Sequence, residues 1–430
     1  MGRRWGRQAF LLAAIVIGVG SLGGWRWREV PADEEAIARI EDALKDGRNA
    51  VAFRDLSLLL DRSPGWDQAA YLMGVCEKAR GRLQEADAAW ARIAPDSPFS
   101  SQAATGRLEL FIERGRPADA EEWIEREARA RGPEGTAMRV LLIPTLVQQG
   151  RVDEARRYLE QRWQVFDAEG HGTSEQAIYL ARYHMELSWE SPPADQVRDD
   201  LDRMGRRAPD DDRIWLARAN LAIRTGALDE ASQWIDRCLQ RRPDDPVVWR
   251  ARLAWAMTTG RLAEVRTALR HLPADPSAPA EIPRLSAWIA SACGDVEAER
   301  RALTELVAAA PEDLDALDRL LKSERGDREK VAALERRKAQ VEADRARYRV
   351  LFRRNQPSRD AAEVARLAER LGRPFEATVF RNVAIAEGLD LDDPEGIPRH
   401  PGESGRRREP IGRTLFDAVP TDCRRDRPSS

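Results

Sequence analysis

Cysteine, histidine and lysine are scarce in this chain of 430 residues, with four, four and five copies. Cys76, Cys238, Cys293 and Cys423 form no C-x-x-C pair, and their gaps are too wide for a zinc ribbon or a redox motif. They read as three small buried thiols in helices and one in a tail. His171, His184, His271 and His400 include no H-E-x-x-H pair, so a metal would need a site gathered from scattered residues. A P-loop, a G-x-S-x-G elbow and a kinase signature are also missing, so no cofactor and no catalytic activity are expected. Charge of one sign is missing too. Seventy basic residues face 73 acidic ones, a net charge of −3, which gives no bulk field for nucleic acid. Only five of the basic residues are lysine, and the arginine excess reads as genome base bias. With 42% hydrophobic and 33% charged residues, a multi-span membrane protein is excluded and disorder as the main state is disfavoured.

One long uncharged run is present. Residues 9–24 read AFLLAAIVIGVGSLGG, flanked by Trp5 and Trp25. On a helix those tryptophans stand ~30 Å apart, the thickness of a bilayer's hydrocarbon core. Arg3, Arg4 and Arg7 precede the run and Arg26 and Arg28 follow it. That bias favours a cytoplasmic N-terminus and an extracytoplasmic remainder. Residues 1–30 are therefore expected to form a single-pass anchor with its helix at about 9–25; cleavage as a signal peptide, releasing a secreted chain, is the alternative. Gly18, Gly20 and Gly23 also spell the G-x-G-x-x-G of a dinucleotide-binding turn, but Pro31 and no strand–helix alternation follow. Gly20 and Gly24 form a G-x-x-x-G pair that suits an anchor-mediated dimer.

After Pro31 a period emerges. A glycine followed five residues later by alanine occurs at Gly81/Ala86, Gly115/Ala120, Gly150/Ala155, Gly226/Ala231 and Gly372/Ala377. Related turns fall at Gly260, Gly294 and Gly326. Successive gaps are 34, 35, 76, 34, 34, 32 and 46, and the gap of 76 hides a degenerate unit at about 171–211. Leu228, Ala231, Ile235, Cys238 and Leu239 make one apolar helical stripe. Pro144 falls inside a first helix, where a kink is expected.

Residues 33–388 resemble the tetratricopeptide repeat family, whose pattern is W-x2-L-G-x2-Y, A-x3-F, then P. Met73-Gly74, Ala86-x3-Trp90 and Pro98 supply one unit; Trp215, Gly226, Ala231-x3-Ile235 and Pro243 supply another; Trp249 opens the next. The resemblance implies an all-α, right-handed α-solenoid of about nine or ten hairpins. It also implies a protein-binding scaffold whose first helices line a concave groove. Carried onto units of clear register, the family's groove positions are Gln102, Thr105, Glu109 and Glu113, then Arg213, Leu216, Asn220 and Arg224, then Arg250 and Thr258. The early groove then looks acidic and the middle basic, suited to an extended acidic segment or a carboxylate. Leu216 stands where the family's carboxylate clamp has lysine, so that clamp is not expected. Trp66, Trp163 and Trp189 are candidate contact anchors. An alternative reading makes the chain an anchor-and-repeat module serving an effector enzyme on another chain.

One charged helix is expected from Asp327 to about Arg354, then a last hairpin at about 360–371 and 374–386, with Ser358 as its cap. Residues 389–430 lose the period and gain Pro, Gly and Arg, and read as a disordered tail.

Overall fold

The computed structural model describes residues 31–168, 170, 175–189, 191–275, 278–389 and 414–419. The expected anchor helix, and the Gly20 and Gly24 pair within it, lie outside these residues. Among the described residues no helix is long and apolar enough to cross a membrane.

The described chain is helical. In order come α1 Pro31–Lys45, α2 Asn49–Arg62, α3 Asp67–Ala79, α4 Leu83–Trp90, α5 Ser100–Glu113, α6 Pro117–Ala130, α7 Thr136–Val140, α8 Ile143–Gln148, α9 Val152–Ala168, α10 Glu175–Leu187 and α11 Ala194–Arg207. Then follow α12 Asp212–Thr225, α13 Leu228–Arg241, α14 Pro246–Thr258, α15 Leu262–Arg270, α16 Glu281–Cys293, α17 Val296–Ala309, α18 Leu314–Ser323, α19 Arg328–Arg354, α20 Pro357–Arg370, α21 Pro374–Ala386 and α22 Leu415–Ala418.

The periodic glycines make the turns. Gly226 has φ 79° and Gly372 φ 73°, the left-handed region that a Cβ disfavours. The residue after each glycine donates back five positions, Ala227 to the Ala222 carbonyl and Arg373 to the Ala368 carbonyl, both at 2.8 Å. This bonding closes the first helix and aims the chain into the second. Gly326 departs from the pattern. Its φ is not left-handed, and Asp327 starts α19 instead, its carboxylate accepting from the Glu329 and Lys330 amides. The α20 helix begins at Pro357 with Gln356 as its N-cap residue, so Ser358 lies inside the helix rather than capping it. Pro144 does more than kink a helix. The segment breaks at Leu141–Leu142 into α7 and α8, with Pro144 in the first turn of α8, where its missing N–H costs nothing.

The chain divides into two compact units, residues 1–165 with 192–214 and residues 166–191 with 215–430. The degenerate repeat is where they part, since α10 belongs to the second unit and α11 to the first. In the first unit the indole of Trp90 is buried under α3 and α5 and donates to the Tyr71 carbonyl at 3.0 Å. In the second unit Ala231, Ile235 and Cys238 of the predicted stripe are fully buried, with Leu228 and Leu239 packed at its margin.

Two features of the second unit differ from a plain stack, in which each hairpin meets only its neighbours. Helix α10 packs against α21, some two hundred positions later. Part of the expected disordered tail folds: Thr414 and Asp417 form a reciprocal capping box, and Leu415 and Val419 are buried. Cys76 and Cys238 are free buried thiols, as expected. Cys293 is not a free thiol but disulfide-bonded, and its partner lies outside the described residues.

Candidate partner-binding surfaces

In the first unit the candidate residues sit on α5. Glu109 and Glu113 lie one turn apart, and Lys78 of α3 reaches both, at 2.5 and 3.1 Å. Burial works against the Lys78 charge, but the two carboxylates outweigh it and hold the ammonium above the usual lysine range. The acidic face is thus already partly neutralised from within. Thr105 is buried and donates to the Ser101 carbonyl at 3.0 Å. Gln102 is half-buried, and its Oε1 has no hydrogen-bond partner.

Arg213 departs from its expected role. Its guanidinium is buried, with Nε 3.0 Å from Glu121 of α6. Glu121 also takes Arg151 at 2.7 Å, and Arg151 takes Glu154 at 2.8 Å. Burial alone would raise the Glu121 carboxyl, but Arg151 and Arg213 hold it below the usual range. A cation held this way is already paired within the fold. Beside it an open cleft of about 430 Å³ is lined by Ala118, Glu121, Glu122, Glu125, Arg126, Arg129 and Arg213. Both signs of charge line it. Glu125 is held by two bonds from Arg139 at 2.9 and 3.1 Å and by the Tyr158 hydroxyl at 3.1 Å. Sequence reasoning missed this network, because repeat position does not reveal the charge on the neighbouring helix.

The second unit carries Asn220, Arg224 and Arg250 on α12 and α14, the first helices of successive hairpins. Arg224 is exposed and Asn220 half-exposed. Arg250 pairs with Glu281 of α16 at 2.6 Å, while the other Glu281 oxygen is buried without a partner. Leu216 is fully buried, so it is core rather than groove. Thr258 is exposed and donates to the Ala254 carbonyl. The structure therefore places Arg213 in one unit and Asn220, Arg224 and Arg250 in the other.

The three candidate tryptophans are packed to different degrees. Trp163 is buried. Trp66 packs against the α1–α3 core. Trp189 meets Tyr348 edge-on at 5.4 Å and Phe352 at 5.0 Å.

A tetratricopeptide repeat family model matches residues 145–356, just under half of the chain. The match supports that family for the repeats. Comparison with curated proteins found no match. Among solved structures, the chain is similar to the Cut9–Hcn1 hetero-tetramer of the APC/C at 12% identity and a TM-score of 0.28, covering 81% of this chain and 71% of that one. It is also similar to the human IFIT1 dimer with m7Gppp-AAAA at 13% identity and a TM-score of 0.28, covering 89% and 95%. Likeness at that distance carries no further argument.

Proposed function

We propose that this chain of tetratricopeptide repeats is a membrane-anchored scaffold that binds protein or peptide partners along the first-helix face of its hairpins. The observation that carries the reading is the recurrence of left-handed glycine turns, which lays helical hairpins side by side within each unit. Such an array presents a long pre-formed surface, and repeats of this family generally serve protein binding. Within the second unit, exposed Arg224 beside Asn220, with Arg250 on the next first helix, suits an acidic segment or a terminal carboxylate. In the first unit, the Lys78-bridged Glu109 and Glu113 on α5 are the corresponding positions, with half-buried Gln102 earlier on the same helix.

The apolar run at 9–24 supports the anchor, with the N-terminus cytoplasmic and the repeats extracytoplasmic. The disulfide at Cys293 supports the same side, since disulfides persist in oxidising compartments. Gly20 and Gly24 suit a dimer of anchors.

Affinity capture from solubilised membranes with the full chain, in parallel with Arg224→Glu/Arg250→Glu, tests the scaffold. Proteins held by the parent and lost by the variant support the second-unit face; an identical captured set removes it. Alkaline extraction tests the anchor, which predicts that the chain stays with the membrane pellet. Crosslinking in detergent that survives Gly20→Leu would exclude the anchor dimer.

A further inference from the structure

The α14–α15 hairpin keeps the repeat period but not the full helix. Helices α13 and α17 each run 14 residues, whereas α15 stops after 9. At the 34-residue offset, Leu262, Val265, Leu269 and Leu272 take the places of Leu228, Ala231, Ile235 and Cys238. Val265, Leu269 and Leu272 are fully buried, so the register holds to that point. The next position, Leu239 in α13, is Pro273. Proline has no N–H, and its ring pushes the preceding residue out of the helical region. The last turn of α15 is therefore missing, and the Leu272 carbonyl has no helical donor.

A segment from the far end of the chain takes that place. The Leu415 amide donates to the Leu272 carbonyl at 2.8 Å, and Pro273 and Thr414 form an antiparallel bridge. Leu415 is fully buried and Val419 nearly so, in one apolar cluster with Val265, Leu269 and Leu272 and with Leu285 and Ile289 of α16. Phe416 lies under the Arg270 guanidinium, 4.5 Å from it. The Thr414–Asp417 capping box satisfies the free end of the turn. The turn thus arrives with its own polar ends paired and needs only an apolar seat.

We propose that the α15–α16 face opened by Pro273 is a peptide-docking groove, separate from the first-helix face, whose resident ligand is this chain's own Thr414–Val419 bound in cis. The groove recognises a capped single turn with leucine and an aromatic after the cap, an acid at the third position and a β-branched residue at the fifth. Two buried aliphatic side chains, one cation–π contact and one backbone bond seat it, so the contact is small and local. A free segment of the same pattern competes for the seat.

Hydrogen exchange on the unmodified full chain is the first test. Docking in cis predicts a Leu415 amide that exchanges at least 100-fold more slowly than an unstructured one, at a rate independent of protein concentration. The second test uses full-length Leu415→Asp and a labelled synthetic peptide of residues 411–421. The peptide is expected to bind the variant, to fail on the parent whose groove is filled, and to lose binding when it carries Leu415→Asp itself. Unstructured exchange at Leu415 would overturn the proposal. So would protection that falls on dilution, which places the segment on a second copy, or equal peptide binding to parent and variant. Should the variant lose its helical circular dichroism, exchange in the unmodified chain decides alone.

Discussion

The imidazole of His184 lies 2.9 Å from the carboxylate of Glu376, although 192 positions separate them. His184 stands on α10 and Glu376 on α21, and the pair is buried. Phe375 meets the imidazole edge-on at 5.0 Å. Arg373 lies 3.6 Å from the same carboxylate and donates to Glu312 at 2.8 Å, while its guanidinium stacks on Trp189 and Tyr348. This cluster fastens the last hairpin to the first helix of the second unit. An apolar contact alone would let α10 slide along α21, whereas a buried pair fixes one register.

Loss of Glu376 is therefore costly to that unit. Glu376→Leu takes the carboxylate from His184 and leaves Arg373 with Glu312 alone, and removing one partner of a buried pair costs about 3–5 kcal/mol. Urea unfolding checks the magnitude, and Glu376→Leu/His184→Phe should recover part of it. Burial would raise the Glu376 carboxyl, but His184 and Arg373 hold it below the usual range. A lowered carboxyl adds stability that is complete above the ordinary glutamate range and is lost as pH falls through the folded value. The gap between parent and Glu376→Leu should therefore narrow below about pH 4; a gap constant from pH 7 to pH 3 would exclude the ionised pair.

Trp90 rests against two glycines, Gly74 of α3 and Gly106 of α5. A Cβ at Gly106 would fall 2.7 Å from the indole ring, and one at Gly74 would press directly on its Nε1 edge. Overpacking of this kind costs about 1–3 kcal/mol. Gly74→Ala should lower the unfolding midpoint, and Gly74→Ala/Trp90→Leu should cost less than the sum of the two single changes. Strict additivity would mean that the contact carries no strain.

What the sequence reveals follows from the range of the interaction. Turn glycines and the Ala-x3-apolar step of the Ala231–Ile235 stripe recur at a fixed period, because each serves the packing of adjacent helices. The long helix 328–354 is legible from its unbroken charge pattern. The His184–Glu376 clasp is not, since no period links those positions. The groove was read only in part. Arg213 sits at a groove position, but Glu121 and Arg151 on neighbouring helices claim it. The tail carried a usable signal, Thr414-x-x-Asp417 beside Leu-Phe, which its Pro- and Arg-rich surroundings masked. The matching signal was Pro273 where the preceding repeat has Leu239.

Asp211 gives a second pH test, of opposite sign. Its carboxylate accepts from the Arg213 amide at 2.9 Å and from Ala118 at 3.1 Å, so it joins the start of α12 to the start of α6. Burial pushes this carboxyl up from 3.8 to about 6, against the pull of the amides. The folded chain thus holds the proton more tightly than the unfolded one, and this contribution to stability is lost as pH rises toward and through about 6. Asp211→Asn has no such titration. The stability of the parent relative to Asp211→Asn should fall by roughly 2 kcal/mol between pH 4 and pH 7. A flat or rising difference would place the Asp211 carboxyl in its ordinary range.

The thiols provide a test that needs no mutation. The chain has four cysteines, of which Cys76 and Cys238 are free and Cys293 is bonded. Because neither free thiol is available to it, the partner of Cys293 must come from outside the described residues. Protein purified without reductant from an oxidising compartment and unfolded in denaturant should therefore show two reactive thiols per chain, against four after reduction. Before unfolding, burial of Cys76 and Cys238 should make both slow to react, and burial also pushes the Cys76 thiol above its usual range, which disfavours the thiolate. Four thiols in the unreduced, unfolded chain would rule out the disulfide and remove one support for an extracytoplasmic array.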